Sequence, residues 1–177
     1  ATHGAPTETN AHPHSAARVA VVHNGIIENF KALREKLEGQ GYVHATDTDT
    51  ETVAYLCQSY LDKGQSPVDA VSNTLRELDG AFALAFLFEG EDDLMIAARK
   101  GSPLAIGHGD GEMFIGSDAI ALAPMTDQIT YLEEGDMAEE EGVIFTLENL
   151  NLREHPGCPF NSTTDVLSLV STVNRPE

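Results

Sequence analysis

The residues most able to do chemistry lie in "VVHNGIIEN", Val21 to Asn29. An Asn carboxamide N–H and a Gly backbone N–H, on adjacent residues at the end of a short apolar run, can converge on one oxygen. Asn24 and Gly25 would then form an oxyanion hole, stabilising charge that develops on a tetrahedral intermediate. Asn-Gly is also a common turn pair, and on spacing alone a strand-to-helix turn is the more ordinary reading. Thr2, His3 and Asp49 are polar groups near segment ends. Asp49 sits where a carboxylate either caps a helix or catches an ammonium group. Five of the seven histidines (His3, His12, His14, His23 and His44) fall early in the chain. They raise a metal site, but no Cys pair and no HExxH accompany them. Hydrogen bonding within a loop is the expected role, and no metal or cofactor is expected. Cys57 lies on an apolar helical stripe and reads as a buried structural thiol. Cys158 lies in an irregular stretch.

These groups need elements to hold them. Residues 1–16 read as loop, and Val19–Val22 as a short buried strand. Ile26, Phe30, Leu33 and Leu37 fall on one face of a helix that Gly39 and Gly41 stop. Thr48, with Glu51 three residues on, has the pattern of a capping box. The helix it opens carries Val53, Cys57, Tyr60 and Leu61 on its apolar stripe. Ser66 and Pro67 open a third helix, buried through Val68, Val71, Leu75 and Leu78. From Gly80 the period changes to two. "AFALAFLF" alternates large and small apolar residues, as a strand covered on both faces would. "DLMIAAR", "PLAIGH", "EMFIGS", "QITYLEE" and "DMAEEEGVIFTL" follow as hairpin strands. The expected class is α+β.

Composition narrows the function. The 177 residues carry 10 Lys+Arg against 29 Asp+Glu, a formal charge of −19. Phosphate binding needs basic clusters, so nucleic acid and anionic membrane surfaces are not expected partners. No apolar run approaches the ~20 residues of a membrane span. Two cysteines fit a reducing compartment, and the cytoplasm is the expected location.

Four pieces in order, "ATHG", "NAHPH", "VVHNGIIEN" and "TDTDTE", resemble the class II glutamine amidotransferases. They look most like the glutaminase domain of the glucosamine-6-phosphate synthases. The likeness runs from Ala1 to about Leu147, with "GAFALAF", "AARKGSPLAIG", "FIGSDAIAL" and "YLEEGD" as downstream strands and turns. It implies an N-terminal-nucleophile hydrolase αββα sandwich, incomplete at its start, over residues 1–154. The stretch 155–177 does not match the family. It implies glutamine as substrate, hydrolysed through a thioester, with ammonia passed to a separate sugar-isomerase domain. By the same resemblance Asn24 and Gly25 are the oxyanion hole. Asp49 pairs with the glutamine ammonium, and Thr2 and His3 lie beside its α-carboxylate. His12 and His23 take orienting roles.

Two departures stand out. The family's nucleophile is an N-terminal Cys whose own amine is the base. This sequence begins downstream of it, inside the family's Arg-Trp-Ala-Thr-His-Gly motif, and neither cysteine stands in. The reading is therefore a fragment, inactive as it stands, with unpaired sheet edges that invite a homodimer. A non-catalytic glutamine-binding module on the same scaffold is the alternative.

Overall fold

The computed structural model describes residues 4–109, 112–133, 136–139, 143–146 and 152–153. Thr2, His3, Cys158 and the stretch 155–177 lie outside them. Among the described residues ten strands and four helices follow one another. β1 (His14–Ser15) and β2 (Val19–Ile27) precede α1 (Phe30–Glu38), α2 (Asp49–Leu61) and α3 (Pro67–Glu77). β3 (Gly80–Phe88), β4 (Glu91–Lys100), β5 (Ala105–His108) and β6 (Met113–Gly116) come next. α4 (Ala119–Leu122), β7 (Gln128–Tyr131), β8 (Asp136–Glu139), β9 (Val143–Thr146) and β10 (Leu152–Arg153) complete the order. One sheet runs β1-β2-β3-β4-β8-β9-β10, and a smaller one β6-β5-β7. Every strand pair is antiparallel.

The layers follow from side-chain alternation. Phe82, Leu84, Phe86 and Phe88 of β3 pack with Val21 and Ile27 of β2 and with Leu33, Leu37, Val53, Leu56, Cys57 and Leu75 of the helices. The small residues Ala83 and Ala97 point the other way and meet Leu104, Ile106 and Leu132. β3 is thus covered on both faces over its middle, as its large–small alternation requires. On the second sheet Ile106 faces inward, so Gly107 and Gly116 face outward, where a Cβ on either would meet Leu122. The short α4 therefore lies on the far side, giving helix, sheet, sheet and helix in order.

Several boundaries differ from the sequence reading. β2 runs on past Val22 to Ile27, so Asn24 and Gly25 lie inside a strand and not in a strand-to-helix turn. Ile26 belongs to that strand and is 41% exposed, so it is not on the face of α1. The turn is Glu28-Asn29. Asn29 Nδ2 donates to Glu77 O (2.7 Å), and its Oδ1 accepts from Asp79 N–H (3.1 Å). Residues 14–15 form a strand within the expected loop. "DMAEEEGVIFTL" divides into β8 and β9. α4 replaces an expected turn.

Candidate functional site

The second helix is fixed by the capping residues read from its sequence. Thr48 Oγ1 accepts from Glu51 N–H (3.3 Å), making Thr48 the cap and Asp49 the first helical residue. The cap reading of Asp49 is thereby corrected. Glu51 does not complete the box on Thr48. Its carboxylate accepts from Ala45 N–H (2.9 Å), Thr46 N–H (2.8 Å) and the Thr46 hydroxyl (2.7 Å), tying down the incoming loop. Burial pushes the Glu51 carboxyl up, but these hydrogen bonds and nearby His44 outweigh it and hold it below its ordinary value. Arg34 braces the same corner, donating to Thr48 O (2.9 Å).

Asp49 is 1% exposed and faces the strand. Its Oδ2 accepts from Ile27 N–H (2.9 Å), and Oδ1 lies 3.7 Å from His23 Nδ1. Thr50 stands beside it, its Oγ1 3.4 Å from Asp49 Oδ1, 3.2 Å from His12 Nε2 and 3.1 Å from His23 Nδ1. His14 Nε2 meets Thr48 Oγ1 at 3.1 Å. Three histidines thus converge on hydroxyls at the start of α2. Burial lowers the pKa of His12, with neighbouring His14 adding to it; burial also lowers that of His14, against the pull of Glu51. Among the described residues no group of three or more His, Cys, Asp or Glu is placed to hold a metal ion.

Asn24 occupies the other face of β2. His23 and Ile27 are buried toward the helices, while Val22, Asn24 and Ile26 are exposed on the opposite side. There Asn24 opens on a cleft of about 210 Å³ between the sheets, lined also by Val22, Ala83, Ala85, Leu104 and Ile115. Between them sits Gly25, with φ +136°. A Cβ there would lie 2.1 Å from Ala81 O, so the backbones of β2 and β3 approach as only glycine permits. Asp49 and Asn24 therefore flank one strand from opposite faces and are linked through its main chain. Among the described residues β1 pairs only with Ala20 and Val21, so no strand covers Val22 to Ile27 on that edge.

Cys57 is buried within the core, and burial pushes its thiol up to about 12. Spacing flagged Asp49, Asn24 and Gly25. It passed over Thr50, whose contacts reach back 27 and 38 residues. The signal available was the threonine-rich "TDTDTE" facing a histidine-rich segment.

Known proteins resemble this chain in sequence and in fold. A family described as glutamine amidotransferase domain matches residues 5–124. The glutamine–fructose-6-phosphate aminotransferase (isomerizing) of Brucella suis is 60% identical over 158 residues, 88% of this chain and 26% of that protein. The protein of the same name from Bradyrhizobium diazoefficiens is 66% identical over 138 residues, 78% of this chain and 23% of that one. The chain thus spans about a quarter of the length of these relatives. Among solved structures, the glutamine phosphoribosylpyrophosphate amidotransferase of B. subtilis superposes with a TM-score of 0.61 at 30% identity, covering 84% of this chain and 32% of that one. A glutamine aminotransferase class-II domain protein from Silicibacter pomeroyi shares the fold, with a TM-score of 0.53 at 20% identity and coverage of 80% and 70%. The chain belongs to the glutamine amidotransferase domain family.

Proposed function

We propose that this chain holds glutamine and stabilises the oxyanion in the glutaminase part of a longer glutamine–fructose-6-phosphate aminotransferase. The released ammonia serves a sugar-isomerase domain that makes glucosamine 6-phosphate. The observation that carries this reading is β2 itself. Asn24 presents its carboxamide on one face, without a hydrogen bond to it among the described residues. Asp49 places a buried carboxylate on the other.

The Gly25 N–H is the second donor, a reading that the ladder supports. Glu28 N–H donates to Asp79 O (2.8 Å), whereas Ile27 N–H turns away from β3 to Asp49. Antiparallel pairs alternate, so Gly25 shares the phase of Ile27, and its N–H is directed to the uncovered edge beside Asn24. When a thiolate attacks the glutamine carboxamide, the carbonyl oxygen becomes an alkoxide. Asn24 Nδ2–H and Gly25 N–H donate to it where the charge appears. Asp49 pairs with the α-ammonium, and Thr2 and His3 complete the carboxylate end. The attacking thiolate comes from the family's amino-terminal cysteine, because Cys57 is buried with a raised pKa.

The decisive experiment places this segment behind that cysteine and measures ammonia release from glutamine for the parent and Asn24→Ala. A large loss of turnover supports the oxyanion role, and an unchanged rate removes it. A non-catalytic glutamine-binding module is the second reading, favoured by the buried state of Cys57; glutamine binding without ammonia release in the joined protein would select it. A homodimer, read by sedimentation, and a cytoplasmic location complete the proposal. Among the described residues no helix is long and apolar enough to cross a membrane.

A further inference from the structure

Thr50 is almost fully buried and has one proton to give. Three groups surround its oxygen: the Asp49 carboxylate, His12 Nε2 and His23 Nδ1. A carboxylate only accepts, so a hydroxyl proton turned to Asp49 obliges both imidazoles to donate. His23 is then the Nδ1–H tautomer. Its Nε2, which is buried and has no hydrogen-bond partner among the described residues, carries a lone pair and not a proton that would need an acceptor. The reverse tautomer would bury an unpaired N–H, the costlier arrangement. The three contacts tie together the segment before β1, the middle of β2 and the first turn of α2.

We propose that Thr50 is a positioning residue for glutamine: its hydroxyl, held by His12 and His23, orients the Asp49 carboxylate that receives the ammonium. This rests on the glutamine reading above. Thr50 does not touch the substrate; it acts through Asp49, as hydrogen-bonded outer residues orient the groups that bind.

The test compares Thr50→Ser, which keeps the hydroxyl, with Thr50→Val, which keeps the shape. Glutamine is titrated calorimetrically into each and into the unsubstituted chain, with melting curves to show that each is folded. Thr50→Val should weaken glutamine about tenfold, the worth of one lost hydrogen bond to a charged group, while Thr50→Ser stays within about twofold. Equal affinity in Thr50→Val, or loss in Thr50→Ser as large as in Thr50→Val, overturns the proposal. Should Thr50→Val not fold, ring ¹⁵N spectra of the unsubstituted chain decide. Neutral His23 protonated at Nδ1 and His12 at Nε2 is the expected result, and His23 protonated at Nε2 overturns it. Failure of the unsubstituted chain to bind glutamine counts against the functional reading, while the tautomers still judge the hydrogen-bond arrangement.

Discussion

Asp49 reaches from the first turn of α2 to the main chain of β2, where its Oδ2 takes the N–H of Ile27 at 2.9 Å. An orphan donor on an uncovered strand edge is thereby satisfied by a side chain and not by another strand. The same carboxylate is the group assigned to the ammonium of glutamine. Its structural and binding roles are therefore separable by chemistry. The structural role at Ile27 needs an acceptor, and the binding role needs charge.

Asp49→Asn separates them. The amide oxygen still accepts from Ile27 N–H, and Thr48 still caps the helix, so the melting temperature should fall only by the worth of the lost 3.4 Å contact from the Thr50 hydroxyl. Glutamine affinity should fall by roughly 1.5–3 kcal/mol, the worth of a charged hydrogen bond, or about ten- to over a hundredfold. Paired melting and titration curves check this, and unchanged affinity would remove Asp49 from the site.

Gly25→Ala should be destabilised by at least about 2 kcal/mol, from the positive φ and the collision with Ala81 O together. Gly41→Ala shares the positive φ but meets nothing within 4 Å, so it should cost less. Urea denaturation of the two variants measures the difference. Equal losses would mean that the close approach of β2 and β3 contributes nothing.

Acid should destabilise the fold in two stages. His12, His14 and His44 titrate below their ordinary 6.5 because burial disfavours the charged ring. The unfolded chain therefore takes up those protons first, and stability is complete above about pH 6.5 and falls as pH drops below it. Glu51 and Glu77 titrate below their ordinary 4.5, Glu77 through hydrogen bonds from Lys36 and Tyr60 that outweigh its burial. Their contribution is lost further down, as pH falls below about 4.5. Melting temperatures between pH 8 and 4 should be flat above 7 and decline thereafter. A rise between pH 7 and 5.5 would contradict the buried neutral histidines.

Cys57 should resist alkylation in the native protein and react on unfolding, since a buried thiol with a pKa near 12 offers almost no thiolate. Consistent with that, the 177 residues alone should release no ammonia from glutamine. Thiol-sensitive ammonia release by the pure chain would contradict both statements.

What the sequence revealed, and what it hid, follows from the range of the interactions. Thr48 with Glu51, and Ser66 with Pro67, announce helix starts because caps act within one turn, and both starts are found. The alternation of β3 announces its two covered faces for the same local reason. β2 outruns its apolar run, which His23, Asn24 and Gly25 break, because ladder pairing with β3 carries the strand through them. Asn29, at the far end of the same stretch, is the residue that makes the turn, through bonds to Glu77 and Asp79 some 50 residues away. The Thr50 hub is equally non-local. Asn24, Gly25 and Asp49 were legible as candidates, but their disposition about one strand was not, because it depends on how α2 docks on β2.

The oxyanion role of Asn24 is the central claim, and turnover against binding tests it most directly. With this segment joined behind the family's amino-terminal cysteine, ammonia release and glutamine affinity are measured for the parent and Asn24→Ala. Turnover should fall about 10²–10³-fold, as when one oxyanion donor is lost. Affinity should change far less, because the charge that Asn24 meets exists only on the way to the tetrahedral intermediate. Near-normal turnover, or a loss of affinity as large as the loss of rate, would contradict the account.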